Sequence, residues 1–324
     1  MSKVIGLGNA LVDIMTMLDD DKFLEKNNLP KGSMQLVDEN TSTKIHEDSK
    51  IYTQKMTSGG SAANTIYSLA KLGIESSYIG KVKNDELGNF FRSDMEGNNI
   101  TPILLNSETP SGKAMALVSK DGERTFATFL GAAVELNADE LEADFFKGFN
   151  IFHIEGYLVY NHPLMLKAAE LAKKHGLKIS LDLASYNVVE DNFDFLKDYM
   201  KKYVDIVFAN EEEAKAFTSA EPEEALDKIA EYCDIAVVKI GSKGSLIKKD
   251  GKKYTAGIIP VKMIDTTGAG DSYAAGFIYG LINNYPLDKC GEIGAILSGK
   301  IIEFIGAKPD EKTWVDIKEM ISKL

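Results

Sequence analysis

Residues 264–280 read IDTTGAGDSYAAGFIYG. Three small residues, Gly268, Ala269 and Gly270, stand directly before Asp271, and Asp271 stands directly before a run with apolar residues at helical spacing. The pattern predicts a helix that starts near Ala269. The first amides of a helix have no internal partner. Here they belong to Gly268, Ala269 and Gly270, whose small side chains let an anion reach the backbone. The helix dipole adds roughly half a unit of positive charge at that end, and Thr266 and Thr267 place hydroxyls at the rim. A carboxylate at Asp271 can orient an attacking hydroxyl and accept its proton, while the amides hold charge building on a phosphoryl group. The plainer reading is a glycine turn with an aspartate stabilising the first helical turn.

Two other places carry similar potential. In TSGGSAANT (57–65), Gly59 and Gly60 precede another expected helix, and Asn64 offers an amide to a hydroxylated ligand. Alone this is also common punctuation before a helix. Asp13, in GNALVDI, lies just past the first expected strand, and strand carboxyl ends face the ligand crevice of open α/β sheets. A carboxylate there can take two hydrogen bonds from a vicinal diol, or can simply be a solvated loop aspartate. No GxxxxGK[ST] occurs, and GLGNALVDI lacks the third glycine of GxGxxG.

These residues need a scaffold. KVIGLG (3–8) reads as a buried first strand, 61–73 as a helix, SSYIGKV (76–82) as a strand and 85–99 as a helix. From residue 150 strands and helices alternate: NIFHIEG, helix 161–175, LKISLDL, helix 192–202, VDIVFAN, helix 211–231, DIAVVKIG. The alternation predicts an α/β fold with a mostly parallel central sheet and helices on both faces. Residues 12–56 and 103–130 break the rhythm with short alternating runs, the second around the turn KDGE. They predict a small projecting β-sheet, built from two insertions into a single domain spanning 1–324, that serves as a lid over the crevice.

Composition narrows the partners. The chain has 324 residues, 44% hydrophobic and 27% charged, with a formal net charge of −12 from 37 basic and 49 acidic residues. That balance argues against a nucleic-acid partner, though not against one small anion in a locally positive pocket. No apolar run reaches the roughly 18 residues of a membrane helix. The N-terminus, with one lysine and a patterned stretch holding Asn9 and Asp13, is a poor signal peptide, so a cytoplasmic protein is expected. Cys233 and Cys290 are far apart, and with four histidines in all they predict neither a disulfide framework nor a zinc site.

Taken together, GNALVDI, SGGSAANT, ANEEEA and DTTGAGDSYAAGF resemble the ribokinase-like (PfkB) carbohydrate and nucleoside kinases, in order and spacing from residue 4 to about 308. NNLPKGSMQLVD and GERTFATFLGAAVEL resemble the adenosine kinase branch. The resemblance implies transfer of the ATP γ-phosphoryl group to a primary hydroxyl. It assigns Asp271 as the catalytic base and Gly268, Ala269 and Gly270 as the anion hole. Asn9, Asp13, Gly59, Gly60 and Asn64 become acceptor contacts. Asn210 and Glu213 match an NxxE pair that acts on Mg²⁺ and phosphate through waters, as hard oxygen ligands suit. Without the resemblance the same pair reads as a helix start.

Arg124 falls where the adenosine kinase branch has a phosphate-contacting arginine. Lys239, Gly241 and Gly244, with Thr266, would border ATP. Asp265 and Thr267 sit where many members bind a monovalent cation, so K⁺ is expected there. Met34 replaces a polar adenine-side residue and, with Leu36, leaves a hydrophobic shelf; of Met34, Leu36, Phe126 and Phe129, alternation is expected to point some into the cleft. The implied partners are a small-molecule acceptor and ATP, in a monomer or homodimer. Adenosine is the leading acceptor, a free sugar such as ribose or fructose the alternative, and a non-catalytic sensor the third reading, which the retained Asp271 disfavours.

Overall fold

The computed structural model describes residues 2–324 and contains two sheets. The strands are β1 (Lys3–Leu7), β2 (Leu11–Met17), β3 (Met34–Leu36), β4 (Gln54–Gly59), β5 (Glu75–Lys83), β6 (Ile100–Ser107), β7 (Gly112–Val118), β8 (Arg124–Phe129), β9 (Ile151–Glu155), β10 (Lys178–Asp182), β11 (Ile206–Asn210), β12 (Ile235–Lys239), β13 (Ser245–Lys249) and β14 (Lys252–Ala256). The helices are α1 (Lys22–Lys26), α2 (Glu39–Ser49), α3 (Ser61–Lys71), α4 (Glu86–Gly97), α5 (His162–Lys174), α6 (Tyr186–Asp191), α7 (Phe193–Tyr203), α8 (Glu211–Thr218), α9 (Pro222–Ile229), α10 (Ala269–Ile282), α11 (Leu287–Ile301) and α12 (Glu311–Ile321).

The large sheet runs β14-β13-β12-β11-β10-β9-β1-β5-β6, with every neighbour parallel from β12 to β6 and the β13–β14 hairpin antiparallel at one edge. Its strands are near-continuous apolar runs because both faces are covered. One face buries Phe152, Ile154, Leu181 and Val207 against the layer of α5 and α7. The other buries Val4, Ile206 and Val237 against α3 and α10. Strand order reverses between β1 and β9. That is the topological switch point, where open α/β sheets bind ligands.

The second sheet runs β3-β8-β7-β2-β4. Alternation sends Met115, Leu117 and Ala127 to one face, where they pack with Phe23, Leu24 and Ile45 of α1 and α2 in a small core of their own. The opposite face carries Leu11, Asp13, Ala114, Phe126 and Thr128 toward the switch point.

Two expectations need correction. Residues 103–107, assigned to the second insertion, belong to β6 and pair with β5 in the large sheet. The stretch 211–231 is not one helix: Ser219 takes the left-handed conformation (φ 54°) after α8, and Pro222 opens α9. A proline at the first helical position starts a helix but cannot sit inside one.

Candidate active site

Above the switch point, between the two sheets, lies a cleft of about 1460 Å³. Its floor is the start of α10. Gly268 caps that helix in the left-handed conformation (φ 73°), and a Cβ there would lie 2.5 Å from the Ala307 methyl, so glycine is required twice over. The Ala269 N–H is spent on the Thr266 carbonyl at 3.1 Å, while those of Gly268 and Gly270 have no protein acceptor. The expected trio of free amides is therefore a pair. Thr266 stands at the cleft wall, as expected.

Asp271, in the first turn of α10, is held from α3. Ser61 Oγ donates to Oδ1 at 2.7 Å and Asn64 Nδ2 to Oδ2 at 2.9 Å. Burial pushes its carboxyl up to about 6; the two donors and Lys239 pull the other way. A carboxylate with that poise is a competent base near neutral pH.

One side of the cleft is built from the end of β1, from β2 and from the β4–α3 turn; Asp13 lies inside β2, opposite Thr57 and Ala114, rather than at the end of the first strand as expected. Asp13 receives no hydrogen bond from the protein, and burial pushes its carboxyl up to about 7 against the pull of Lys308. Gly59 touches it: a Cβ there would lie 2.2 Å from Oδ2. Gly60 has φ +99°, with the Asn9 carbonyl 2.2 Å from where a Cβ would sit. The side-chain oxygens of Asn9 and Asn64 are buried without a partner. Asn9 is anchored by Glu155 at the end of β9, whose Oε1 accepts from both Asn9 nitrogens and whose Oε2 accepts from Ala62 N–H, each at 2.9 Å. Burial pushes Glu155 up to about 7. Behind the glycines, Asp94 accepts from Ser58 N–H (2.9 Å), Ser58 Oγ (2.6 Å) and Lys308 Nζ (2.8 Å).

The lid face of this side is apolar. Met34 and Leu36 are 68% and 69% exposed, and with Phe126, Leu130, Val134, Tyr157 and Tyr160 they wall the cleft. Phe129 does not join them: strand alternation turns it away from the face that Phe126 and Thr128 share.

On the other side the polar groups are satisfied by one another. Lys239 Nζ pairs with Asp182 Oδ2 at 2.9 Å and lies 3.1 Å from where a Gly270 Cβ would be. Burial opposes the Lys239 charge, but Asp182 and Glu213 outweigh it and hold the ammonium protonated. Asn210 and Glu213 form the complete capping box of α8. Asn210 Oδ1 accepts from Glu213 N–H at 2.8 Å, while Glu213 accepts from Asn210 N–H (2.7 Å) and Nδ2 (2.8 Å). The helix-start reading of this pair is thus literally present, and both residues also line the cleft. Gly241 and Gly244 line it beside Ile258, Pro260 and Met263.

Arg124 departs from expectation. Its Nη1 donates to Thr267 Oγ1 and forms an ion pair with Asp265 Oδ2 at 2.6 Å, and the residue is not part of the cleft wall. The guanidinium is spent on the loop before the anion hole rather than turned to a phosphate. The same contacts occupy the side-chain oxygens of Asp265 and Thr267, the pair expected to hold K⁺.

Sequence reasoning missed Glu155, Asp182, Ser61 and the apolar loop 258–263. The first two were legible: NIFHIEG and LKISLDL each end a strand on a carboxylate, the signal that marked Asp13. Ser61 and the 258–263 loop carry no such spacing. Among the described residues no helix is long and apolar enough to cross a membrane.

Comparison with known proteins agrees with this fold. Residues 33–314 match the model of the pfkB family carbohydrate kinases. A curated relative from Archaeoglobus fulgidus, an uncharacterized sugar kinase, is 30% identical over 74% of this chain and 96% of its own. The structure of a probable sugar kinase from Rhizobium etli superposes with a TM-score of 0.87 at 34% identity, covering 98% of each chain. That of adenosine kinase from Sinorhizobium meliloti gives 0.86 at 32%, covering 98% of this chain and 99% of its own. The chain belongs to the pfkB family of carbohydrate kinases and is a phosphotransferase with an alcohol group as acceptor.

Proposed function

We propose that this kinase transfers the γ-phosphoryl group of ATP to the primary hydroxyl of a nucleoside, with adenosine as its acceptor. One observation carries the reading. Three acceptor groups without protein donors, the Asp13 carboxylate and the Asn9 and Asn64 oxygens, stand beside an uncovered apolar wall in one cleft. Hydroxyls of a ribose suit the first set and a flat base suits the second. Every relevant roughly 60 Å² of extra apolar burial adds about 1.4 kcal/mol, a factor of ten in affinity. The likeness to an adenosine kinase at 32% identity supports the same choice.

In this reading the acceptor hydroxyl lies against Asp271, which Ser61 and Asn64 hold in place. The hydroxyl oxygen bonds to the γ-phosphorus as the bond to the bridging oxygen of ADP breaks, and the hydroxyl proton passes to Asp271. The Gly268 and Gly270 amides and the Lys239 ammonium hold the charge on the transferring group. Magnesium supplies charge neutralisation on the nucleotide phosphates when bound. The Glu213 carboxylate, already engaged with Asn210, retains lone pairs for water, which fits an ion whose inner ligands are phosphate and water.

The test is ADP release with adenosine, inosine, ribose and fructose at matched Mg·ATP. Adenosine should exceed both sugars by about tenfold or more in kcat/KM. Faster turnover of a free sugar overturns the nucleoside reading in favour of a sugar acceptor.

A further inference from the structure

We infer that Arg124 is the resident cation of the loop that precedes the anion hole, and that the chain works without a bound monovalent metal ion. The inference rests on the reading of the 268–271 turn as the phosphoryl site.

Asp265 is buried, at 3% exposure, and both of its oxygens are filled from the protein. Oδ1 accepts from Thr267 N–H at 2.7 Å. Oδ2 accepts from Gly306 N–H at 2.7 Å and is ion-paired with Arg124 Nη1 at 2.6 Å. Thr267 Oγ1 takes a second bond from the same Nη1. Two nearby carbonyls carry hydrogen bonds as well: Ile302 O accepts from the N–H groups of Ile264 and Asp265, and Thr266 O accepts from Ala269 N–H.

A potassium ion needs several oxygens free to replace its water, in a field of net negative charge. Here the single carboxylate is already neutralised by a guanidinium and by two backbone dipoles. A metal cation beside Arg124 would meet like charge in a dry site, where repulsion is weakly screened. The residues expected to hold K⁺ therefore do not fit it.

The arginine also has a positioning task that a free ion would perform less durably. It reaches from β8 of the second sheet to Thr267, the neighbour of Gly268. Through Asp265 it reaches Gly306, whose neighbour Ala307 packs on Gly268. One planar group thus ties the lid, the anion-hole turn and the 302–307 segment together. An arginine is always charged and presents several fixed donors, so this tie is independent of salt type and pH.

The experiment compares the wild-type chain with Arg124→Ala and Arg124→Lys. Rates are read in tetramethylammonium buffer with and without 100 mM K⁺, at ~100 mM total salt. Crystals of each soaked in thallous ion are read by anomalous scattering. The wild-type rate should change by less than about twofold with K⁺, and no thallium should occupy the Asp265 loop. Arg124→Ala should lose about tenfold or more in kcat, with a smaller change in acceptor KM, and should recover part of it with millimolar guanidinium. Stimulation of the wild type by about tenfold with K⁺, or thallium bound at Asp265 in the wild type, overturns the inference. If Arg124→Ala does not fold, Arg124→Lys still decides, because its shorter side chain draws the charge back from Asp265 and Thr267 and guanidinium should raise its rate. A folded variant that guanidinium fails to rescue also overturns it. Should the phosphoryl-site reading itself fail, Asp271→Asn would keep wild-type turnover whatever the thallium maps show.

Discussion

The two halves of the cleft satisfy their polar groups in opposite ways. On one side Asp182 pairs with Lys239 and Glu213 with Asn210, and in the loop behind that wall Asp265 is engaged with Arg124, Thr267 and Gly306. On the other side the Asp13 carboxylate and the Asn9 and Asn64 oxygens have no protein donor. Unpaired buried acceptors cost free energy, of order 1–3 kcal/mol each. On the proposed function, the difference marks where each ligand would be read. The first half would offer backbone amides and one ammonium to phosphates, which are alike in every nucleotide. The second is an open hydrogen-bond network that the acceptor's hydroxyls would complete.

Asp271 stands on the border between the halves, and removing it is the largest perturbation. Asp271→Asn should bind acceptor and nucleotide as before and lose about 10²- to 10⁴-fold in kcat, the usual worth of a general base. Calorimetric binding alongside steady-state kinetics checks both parts. Near wild-type turnover would remove Asp271 from the chemistry.

Asp13→Ala should act on one half only. Losing two hydrogen bonds to a carboxylate costs on the order of 3 kcal/mol, so acceptor kcat/KM should fall roughly 100-fold with ATP KM nearly unchanged. An unchanged acceptor KM with a raised ATP KM would exchange the two halves.

Much of this division was readable from the chain. The glycine turns before helices and the β/α alternation rest on local pattern and lie where expected because backbone rules fix them. Asp13 reaches the cleft from inside β2 of the second sheet, not from the end of the first strand. What was hidden depends on pairing across the fold. Ser61 meets Asp271 across 210 residues of sequence and Lys308 meets Asp94 across 214, distances no local pattern encodes. Arg124 was placed at a phosphate by resemblance, yet its partner is decided by which loop β8 faces. Of Met34, Leu36, Phe126 and Phe129, alternation brings the first three to the cleft and turns Phe129 away.

Acid strength offers a whole-cleft test. Burial raises Asp13, Glu155 and Glu213 to about 7 and Asp271 to about 6. A carboxyl raised on folding binds its proton more tightly in the native state than in the unfolded chain. Ligand-free stability should therefore fall as pH rises from about 4.5 through 7. Activity should rise over the same range as Asp271 ionises, with a limb near pH 6. Thermal unfolding between pH 5 and pH 8 should show a falling Tm; a Tm that climbs steadily to pH 8 would show these groups ionised freely in the fold.

The smallest effect belongs to the first half. Glu213→Gln keeps one capping oxygen, removes a charge and sets an amide donor against an Asn210 donor, so stability should fall by about 1–2 kcal/mol. The magnesium concentration for half-maximal rate should rise by about threefold to tenfold, since water-mediated contacts to the ion lose a hard anionic partner. An unchanged magnesium requirement would leave Glu213 as a helix cap alone.

The central claim is that the unpaired acceptors of one half read the acceptor's hydroxyls. A thermodynamic cycle tests it directly, pairing wild type and Asp13→Ala with adenosine and with its 2′- and 3′-deoxy analogues. Wild type should lose about tenfold or more in kcat/KM for at least one missing hydroxyl, and Asp13→Ala should lose almost nothing further for that same hydroxyl, a coupling of about 1.4 kcal/mol or more. If the losses simply multiply for both hydroxyls, Asp13 does not touch the sugar and the account of the acceptor half is wrong.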